Sequence, residues 1–237
     1  MKIEIKASEN YAEKIRQTYR EKGISKVIGF SGGADDKLKG IPDDDPLQEQ
    51  FKNFRDAYHE RIISSALGLF RGYKVAILTG GTEGGVPELA TKIAKKHSFY
   101  TIGVHPRKGK KYALSDDLVD MAITVDPMVG DAVWGDEGSV WTSLVDAMIV
   151  IGGGAGTLTE CSHIQKINES RIKGGETPKY IVPIYGTGGV AEQLPHLWAK
   201  PDIRNASMPM ERVHTGNDAA KRIIEILSLD DYYDPNF

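Results

Sequence analysis

The chain has 237 residues, which fits one α/β domain and is long enough to bury a substantial core. Thirty Lys and Arg residues against thirty-three Asp and Glu residues give a net charge of −3, which argues against a general nucleic-acid binder. The one cysteine, Cys161, excludes an internal disulfide and favours a reducing, cytoplasmic location. No apolar run is long enough to predict a membrane span, and the charged start of the chain is untypical of a signal peptide.

Hydrophobic spacing predicts helices that alternate with short strands along the whole chain. In chain order, the pattern predicts a helix over 8–22, a strand over 26–31, a helix over 47–70 and a strand over 73–78. There follow a helix after residue 85, strands over 100–104, 121–125 and 147–151, a helix after residue 157, a strand over 180–185 and a helix over about 217–228. This order predicts a doubly wound, mostly parallel, Rossmann-like α/β sheet in a single domain that spans residues 1–237.

An acidic segment at about 34–46 interrupts the alternation and carries five aspartates and two prolines. Clustered carboxylates can bind a metal ion, but the spacing of an EF-hand loop is absent. We therefore interpret the segment as a solvated loop insertion and expect neither a metal site nor a separate cofactor.

Glycine is the enriched residue: the chain has 26, whereas average usage of about 7% would give roughly 17. The glycines cluster where predicted strands end, and ligands of open α/β sheets bind at the carboxyl ends of the strands. Backbone N–H groups in such turns, together with a following helix N-terminus, bind phosphate. The predicted phosphate-binding residues are Ser31, Gly32, Gly33, Gly80, Gly81, Thr82, Gly153, Gly154, Gly156 and Thr157.

Two common nucleotide motifs do not explain these clusters. The P-loop pattern GxxxxGK[ST] is absent, which argues against a P-loop NTPase. The dinucleotide pattern GxGxxG is matched only loosely from Gly152 to Thr157, and the expected acid does not end the next strand. Of the hypotheses for this chain, an NAD(P)-linked enzyme is therefore the one that the sequence supports least.

The segment from Gly153 to Glu160 reads GGAGTLTE and matches GGxGTxxE. This motif resembles the signature of the Lonely Guy (LOG) family, whose members are often mislabelled lysine decarboxylases. Asp146 and Ala147 resemble the dipeptide that precedes that motif, and the glycine clusters after Phe30 and Thr79 resemble the family's other two loops. The resemblance covers roughly residues 26–170, and the chain is also similar in outline to molybdenum-cofactor carrier proteins.

The resemblance implies a homodimer that binds a nucleoside 5′-monophosphate or a related nucleotide. Active LOG-like members hydrolyse the N-glycosidic bond and release a base and ribose 5-phosphate. Glu160 would then be the catalytic carboxylate that stabilises the oxocarbenium-like ribose or orients water. Thr157 and Glu160 also fit a capping box, in which the glutamate would bond the N-cap backbone, so a structural role stays open.

One departure from the family pattern favours a different activity. Active members carry an arginine at the position of Glu137, and no Arg or Lys occurs nearby in residues 136–144. The alternative hypothesis is therefore a non-catalytic carrier or sensor of a nucleotide or nucleotide-like cofactor. The basic loop that contains Arg107 is a candidate replacement cation, although a solvated loop is the simpler interpretation. Trp134 and Trp141 are candidates for base stacking or for the core.

Overall fold

The computed structural model of the chain describes residues 1–5, 11–33, 40–197 and 200–230. Seven strands form one parallel sheet: β1 Lys2–Ile5, β2 Lys26–Gly32, β3 Val75–Thr79, β4 Tyr100–Pro106, β5 Met121–Val125, β6 Ala147–Ile151 and β7 Tyr180–Ile184. The strand order is β1-β5-β4-β3-β2-β6-β7. The predicted Rossmann-like α/β class is confirmed.

Eight α-helices occur in the described ranges: α1 Tyr11–Lys22, α2 Pro46–Phe70, α3 Gly85–Lys96, α4 Gly138–Leu144, α5 Ala155–Lys173, α6 Gly189–Gln193, α7 Pro201–Ser207 and α8 Gly216–Leu227. Residues 107–112 and 194–196 form 3₁₀ turns. Within the part of the chain that the structure describes, no helix is long and apolar enough to cross a membrane.

Two apolar clusters cover the two faces of the sheet. Buried residues of α2, α3 and α8 pack on one face, and residues of α1, α4, α5 and α6 pack on the other. The strands between them are almost wholly buried, as expected for a parallel sheet covered on both sides. This burial explains why the central strands were recognisable as short apolar runs.

Element boundaries differ from the sequence predictions in a few places. β3 begins at Val75 because Tyr73 still belongs to the turn after α2, where its N–H donates to the Phe70 carbonyl at 3.0 Å. The edge strand β1 was missed because its alternation of charged and apolar residues extends over only four positions. Helix α4, only seven residues long, was also missed.

The acidic segment is described only in part, since residues 34–39, with Asp35 and Asp36, lie outside the described residues. Asp45 is the N-cap of α2: its carboxylate accepts a hydrogen bond from the Leu47 N–H at 2.8 Å. Pro46 occupies the first position of the helix. At least one of the five aspartates therefore has a structural role as a helix cap.

Strand order reverses between β2 and β6, which are adjacent in the sheet although 115 residues separate Gly32 from Ala147 in the chain. From β2 the chain proceeds through β3, β4 and β5 towards one edge, and from β6 it proceeds to β7 at the other edge. The loops after β2 and β6 therefore diverge and leave a crevice, which is where open α/β sheets bind ligands.

Candidate ligand-binding cleft

A cleft of about 330 Å³ opens at this reversal point, at the carboxyl ends of β2, β3, β4 and β6. Its volume lies near the lower end of the roughly 300–1,000 Å³ range of small-molecule sites. Nine of the eleven predicted site residues line it: Ser31, Gly32, Gly33, Gly80, Thr82, Gly154, Gly156, Thr157 and Glu160. The other lining residues are Phe30, Pro87, Val104, His105, Pro106, Trp134, Glu137 and Trp141.

Gly81 and Gly153, the two remaining predicted residues, shape the loops behind the cleft. Gly81 has a φ of +62°, and a Cβ there would lie 2.5 Å from the Cα of Gly103 on β4. Gly153 has a φ of +95°, and a Cβ there would lie 2.6 Å from the Thr157 hydroxyl oxygen. Both positions need glycine for backbone conformation and close packing, whether or not a ligand binds.

The two glycine-led helices differ in how their N-termini are used. In α3 the Val86 N–H donates to the Gly33 carbonyl at 3.0 Å, and the Gly84 N–H donates to the Glu88 carboxylate at 2.6 Å. Helix α5 has Gly154 as its N-cap, without a side-chain cap, and Gly154 and Gly156 are exposed on the cleft. Because the first N–H groups of a helix lack intrahelical partners, the N-terminus of α5 is the one of the two that is open to the cleft.

Glu160 lies in the second turn of α5, and its carboxyl group accepts a hydrogen bond from the Ser31 hydroxyl at the end of β2. The Ser31 and Thr157 hydroxyl oxygens are 3.3 Å apart. The capping-box interpretation is wrong, because Gly154 rather than Thr157 is the N-cap and the Glu160 carboxyl bonds Ser31 instead. Glu160 is thus held by the neighbouring strand and points to the cleft.

Burial raises the pKa of Glu160 to about 7, a shift that the Ser31 hydrogen bond reduces and the nearby Glu137 carboxyl increases. The carboxyl is therefore close to half-protonated at neutral pH. In this state it can donate as well as accept a hydrogen bond or a proton. The adjacent Cys161 thiol is buried, and burial raises its pKa, which disfavours the nucleophilic thiolate.

Glu137, at the position where active LOG-like members carry arginine, also lines the cleft. Its carboxylate accepts a hydrogen bond from the Gly135 N–H at 2.8 Å. Burial raises the pKa of Glu137, and the Asp136 carboxylate adds to the shift, while backbone N–H groups counteract it. The structure thus places a second carboxyl group near Glu160 where the family resemblance predicts a cation.

His105, which sequence reasoning did not select, lies at the end of β4 and lines the same cleft. It is buried, and its Nε2 is 3.1 Å from the Thr124 hydroxyl oxygen. Burial lowers the pKa of His105, and Lys110 lowers it further, so the imidazole is neutral at pH 7. Its position at a strand end beside the glycine-ended strands was the signal that could have identified it.

The two tryptophans on the cleft wall have different environments. Trp141 is buried against β2, where a Cβ at Gly29 would lie 2.5 Å from its ring, and its indole N–H has no partner among the described residues. Trp134 is half-exposed at the mouth, where it stacks on Tyr112 with ring centroids 6.2 Å apart. Trp141 is therefore a core residue with one unpaired donor, and Trp134 is the ring available for stacking.

Arg107 does not line the cleft. It is ion-paired with Asp126 and lies 3.9 Å from Glu4, which also accepts from Lys110 at 2.7 Å. The hydrogen bond and charge of Asp126 raise the pKa of Arg107. The solvated-loop interpretation fits this placement, and among the described residues no Arg or Lys lines the cleft.

A larger cleft of about 1,240 Å³ lies at the opposite, amino ends of the strands. The C-termini of α1, α2 and α3 meet there, and its basic residues include Lys22, Arg71 and Lys95, the last of which pairs with Asp120 at 2.6 Å. Cations stabilise helix C-termini, so these residues have a structural explanation. None of the predicted phosphate-binding loops reaches this cleft, and the smaller cleft is the candidate site.

The comparisons with known proteins agree with the fold and with the motif resemblance. Residues 71–172 match the model of the SLOG cluster4 family. No curated protein matches the sequence. The fold is similar to the X-ray structure of TM1055, with 15% identity, a TM-score of 0.56, and coverage of 84% of this chain and 99% of that one.

Two further similar structures have 20% identity each. The molybdenum cofactor binding protein of the phototrophic bacterium Rippkaea orientalis aligns with a TM-score of 0.54 over 85% of this chain and 97% of its own. The molybdenum cofactor carrier protein of Chlamydomonas reinhardtii aligns with a TM-score of 0.53 over 86% of this chain and 98% of its own. The predicted resemblance is thus confirmed: residues 71–172 match the SLOG cluster4 family, and the chain shares its fold with these solved structures.

Proposed function

We propose that the cleft binds a phosphorylated small molecule of the nucleotide class and that its phosphate lies against the first turn of α5. The observation that carries this proposal is the difference between the two glycine-led helices. The N-terminus of α3 is closed by Gly33 and Glu88, whereas that of α5 opens onto the cleft at Gly154 and Gly156. A phosphate there meets unpaired N–H groups and the positive end of the helix dipole.

The rest of the cleft suits the remaining parts of such a ligand. The half-exposed Trp134 offers a ring face at the mouth, and the buried Trp141 offers an unpaired N–H donor. The Glu160 carboxyl, beside the Ser31 and Thr157 hydroxyls, can accept from sugar hydroxyl groups. A cleft of about 330 Å³ suits a mononucleotide better than a dinucleotide, which supports the mononucleotide class over an NAD(P) site.

Within this class we propose that binding or carriage, rather than turnover, is the main role. Glu137 stands where active LOG-like enzymes have arginine, and no described Arg or Lys lines the cleft. Two proteins of similar fold are described as molybdenum cofactor binding and carrier proteins, so that cofactor belongs among the candidate ligands. We further propose that the protein acts in the cytoplasm as a homodimer.

Hydrolysis of an N-glycosidic bond is the second candidate, and the state of Glu160 favours it. A carboxyl group with a pKa near 7 can deliver a proton to the departing base. In that reaction the C1′–N bond breaks and the base leaves with the proton of the Glu160 carboxyl group. A water oxygen bonds to C1′, and the proton that this water loses returns to the Glu160 carboxylate. Once ionised, the same carboxylate would stabilise the positive charge on the ribose.

A binding and turnover assay with a matched pair of variants tests both candidates. Nucleoside 5′-monophosphates, ribose 5-phosphate and unphosphorylated nucleosides are titrated calorimetrically, and free base is quantified after incubation. Gly154→Asp supplies a good N-cap residue in open space, so it should preserve folding while its carboxylate repels phosphate. Gly154→Asn caps equally well without charge and serves as the control.

We expect the phosphorylated compounds to bind to the unaltered protein. Gly154→Asp should weaken their binding at least tenfold, and Gly154→Asn should have a much smaller effect on it. If both variants bound the phosphorylated compounds equally well, the phosphate would not lie at the N-terminus of α5. Release of base that disappears in Glu160→Gln would establish the hydrolase, whereas binding without release would support the carrier.

A further inference from the structure

The cleft that receives the phosphate has an unusual set of titratable groups. Among the described lining residues these are His105, Glu137 and Glu160 only. His105 is neutral at pH 7, since burial and Lys110 lower its pKa. An anion that enters the cleft therefore meets two carboxyl groups and no described cationic side chain, apart from the partial charge at the N-terminus of α5.

Packing between α4 and α5 keeps Glu137 in place. The first residue of α4, Gly138, faces Thr159 of α5, with 4.0 Å between a Cβ at Gly138 and the Thr159 methyl carbon. The Glu137 carbonyl accepts from the Trp141 N–H at 2.9 Å, and Trp141 is buried against β2. These contacts fix the backbone at Glu137, and the hydrogen bond from the Gly135 N–H orients its carboxyl group.

Each carboxyl group has a described hydrogen-bond donor on one oxygen. Oε2 of Glu137 accepts from the Gly135 N–H, and Oε2 of Glu160 accepts from the Ser31 hydroxyl. Asp136, whose carboxylate accepts from the Val133 N–H, adds further negative charge beside Glu137. The Glu137 carboxyl also receives a hydrogen bond from its own backbone N–H. Because the Glu137 carboxyl raises the pKa of Glu160, it increases the cost of ionising Glu160 and favours a proton there.

We propose that an anionic ligand enters this cleft together with one proton, which the Glu137–Glu160 pair retains, and that Glu137 thereby determines how binding depends on pH. The proposal rests on the proposed function, since it concerns the same phosphate site. Without the proton, the ligand would face two ionised carboxylates rather than one in a partly desolvated cleft, where like charges repel strongly. Glu137 is a positioning residue in this scheme and touches no reacting atom.

Isothermal titration between pH 6 and 8.5 tests the proposal with two probes, AMP and adenosine 5′-sulfate. The sulfate ester stays singly charged over this range, so any pH dependence of its binding belongs to the protein. Titrations in buffers of different ionisation enthalpy count the protons taken up. We expect nearly one proton per ligand at pH 8 and an affinity that falls towards tenfold per pH unit above neutrality.

Glu137→Gln removes one of the two carboxyl groups while preserving shape. It should bind adenosine 5′-sulfate more tightly than the unaltered protein at both pH values, and the gain should be about tenfold larger at pH 8 than at pH 6. Glu60→Gln, at an exposed position on α2, controls for the loss of one surface charge and should change neither value. The number of protons taken up on binding is measured on the unaltered protein. The proposal can therefore be tested even if Glu137→Gln folds poorly.

The outcomes separate this inference from the function on which it rests. Binding without proton uptake, or an unchanged pH dependence in Glu137→Gln, would overturn the proton-coupled scheme and leave phosphate binding intact. Binding that requires Mg²⁺ at constant protonation would also overturn it, because a metal ion would then supply the missing charge. No binding of either probe at pH 6 would overturn both proposals.

Discussion

The Ser31 hydroxyl donates a hydrogen bond to the carboxyl group of Glu160 across the point where the strand order reverses. The two residues lie 129 positions apart in the chain, one at the end of β2 and the other in α5. This contact anchors the acidic group to the sheet rather than to its own helix N-terminus. The carboxyl group is therefore held at the candidate cleft at a cost in desolvation.

That cost predicts a pH-dependent stability that Glu160→Gln removes. The pKa of Glu160 is about 7 in the folded protein, against 4.5 for an ordinary glutamate. Between these values the folded chain retains a proton that the unfolded chain has lost, so Glu160 lowers stability as pH rises from about 4.5 to 7. Glu160→Gln should match the unaltered protein near pH 4.5 and exceed it by up to about 3 kcal/mol at pH 8.

Urea denaturation at several pH values, with Glu60→Gln as the surface control, measures this difference. A stability gain of Glu160→Gln that is independent of pH would show that the carboxyl group is not the source. A loss of stability at pH 8 would mean that the ionised carboxylate is stabilised by its partners, and the sign of the argument would be reversed.

Two glycines of the cleft should respond in opposite ways to alanine. A Cβ at Gly32 would lie 2.3 Å from the Ile151 carbonyl oxygen, so Gly32→Ala should cost about 3 kcal/mol of unfolding free energy. Gly156, in the first turn of α5, has open space, and Gly156→Ala should gain about 0.5 kcal/mol. The added methyl group lies in the turn against which we propose that the phosphate binds, so nucleotide affinity should fall.

Thermal unfolding and nucleotide titration of both variants check this pair. If Gly32→Ala were as stable as the unaltered protein, β2 and β6 would have to adjust more than the close packing at Ile151 suggests. If Gly156→Ala bound nucleotide normally, the ligand would not contact the first turn of α5.

Most of the fold and much of the cleft could be predicted from sequence. Buried strands such as β6 read as continuous apolar runs, and the GGxGTxxE motif marked the start of α5 because its glycines precede a helix directly. The edge strand β1 could not be recognised, since only Ile3 of its described side chains is buried. Short-range patterns detect burial on both faces far better than pairing at an edge.

The roles of individual site residues were harder to predict because they depend on distant contacts. Gly81 was predicted to bind ligand, but its close approach to Gly103 on β4 depends on which strands are adjacent. Whether Glu160 capped α5 or faced the cleft depended on Ser31, far away in the chain. The sequence showed that Glu137 replaces the arginine of active LOG-like members, but only the structure shows that Glu137 lines the same cleft as Glu160.

Glu88→Ala tests whether α3 contributes to phosphate binding. The Glu88 carboxylate accepts from the Gly84 N–H and pairs with Lys92, and these contacts lower the pKa of Glu88. Its removal should cost about 1 kcal/mol of stability and leave nucleotide affinity unchanged. Lys92→Ala separates the ion pair from the cap and should cost less. Tighter nucleotide binding by Glu88→Ala would indicate that the uncapped N-terminus of α3 can also take the phosphate.

Arg107→Ala tests whether the basic loop supplies the cation that the cleft lacks. The Arg107 guanidinium is engaged by Asp126 and lies near Glu4 on the outer edge of the sheet, and it does not line the cleft. We therefore expect nucleotide affinity and its dependence on salt to stay within about twofold of the unaltered protein, because exposed, paired charges contribute little at a distance. Lys108→Ala, in the same loop, is the matched control for a general loss of positive charge. A tenfold loss of affinity in Arg107→Ala alone would mean that the loop closes over the ligand and that Arg107 exchanges Asp126 for the phosphate.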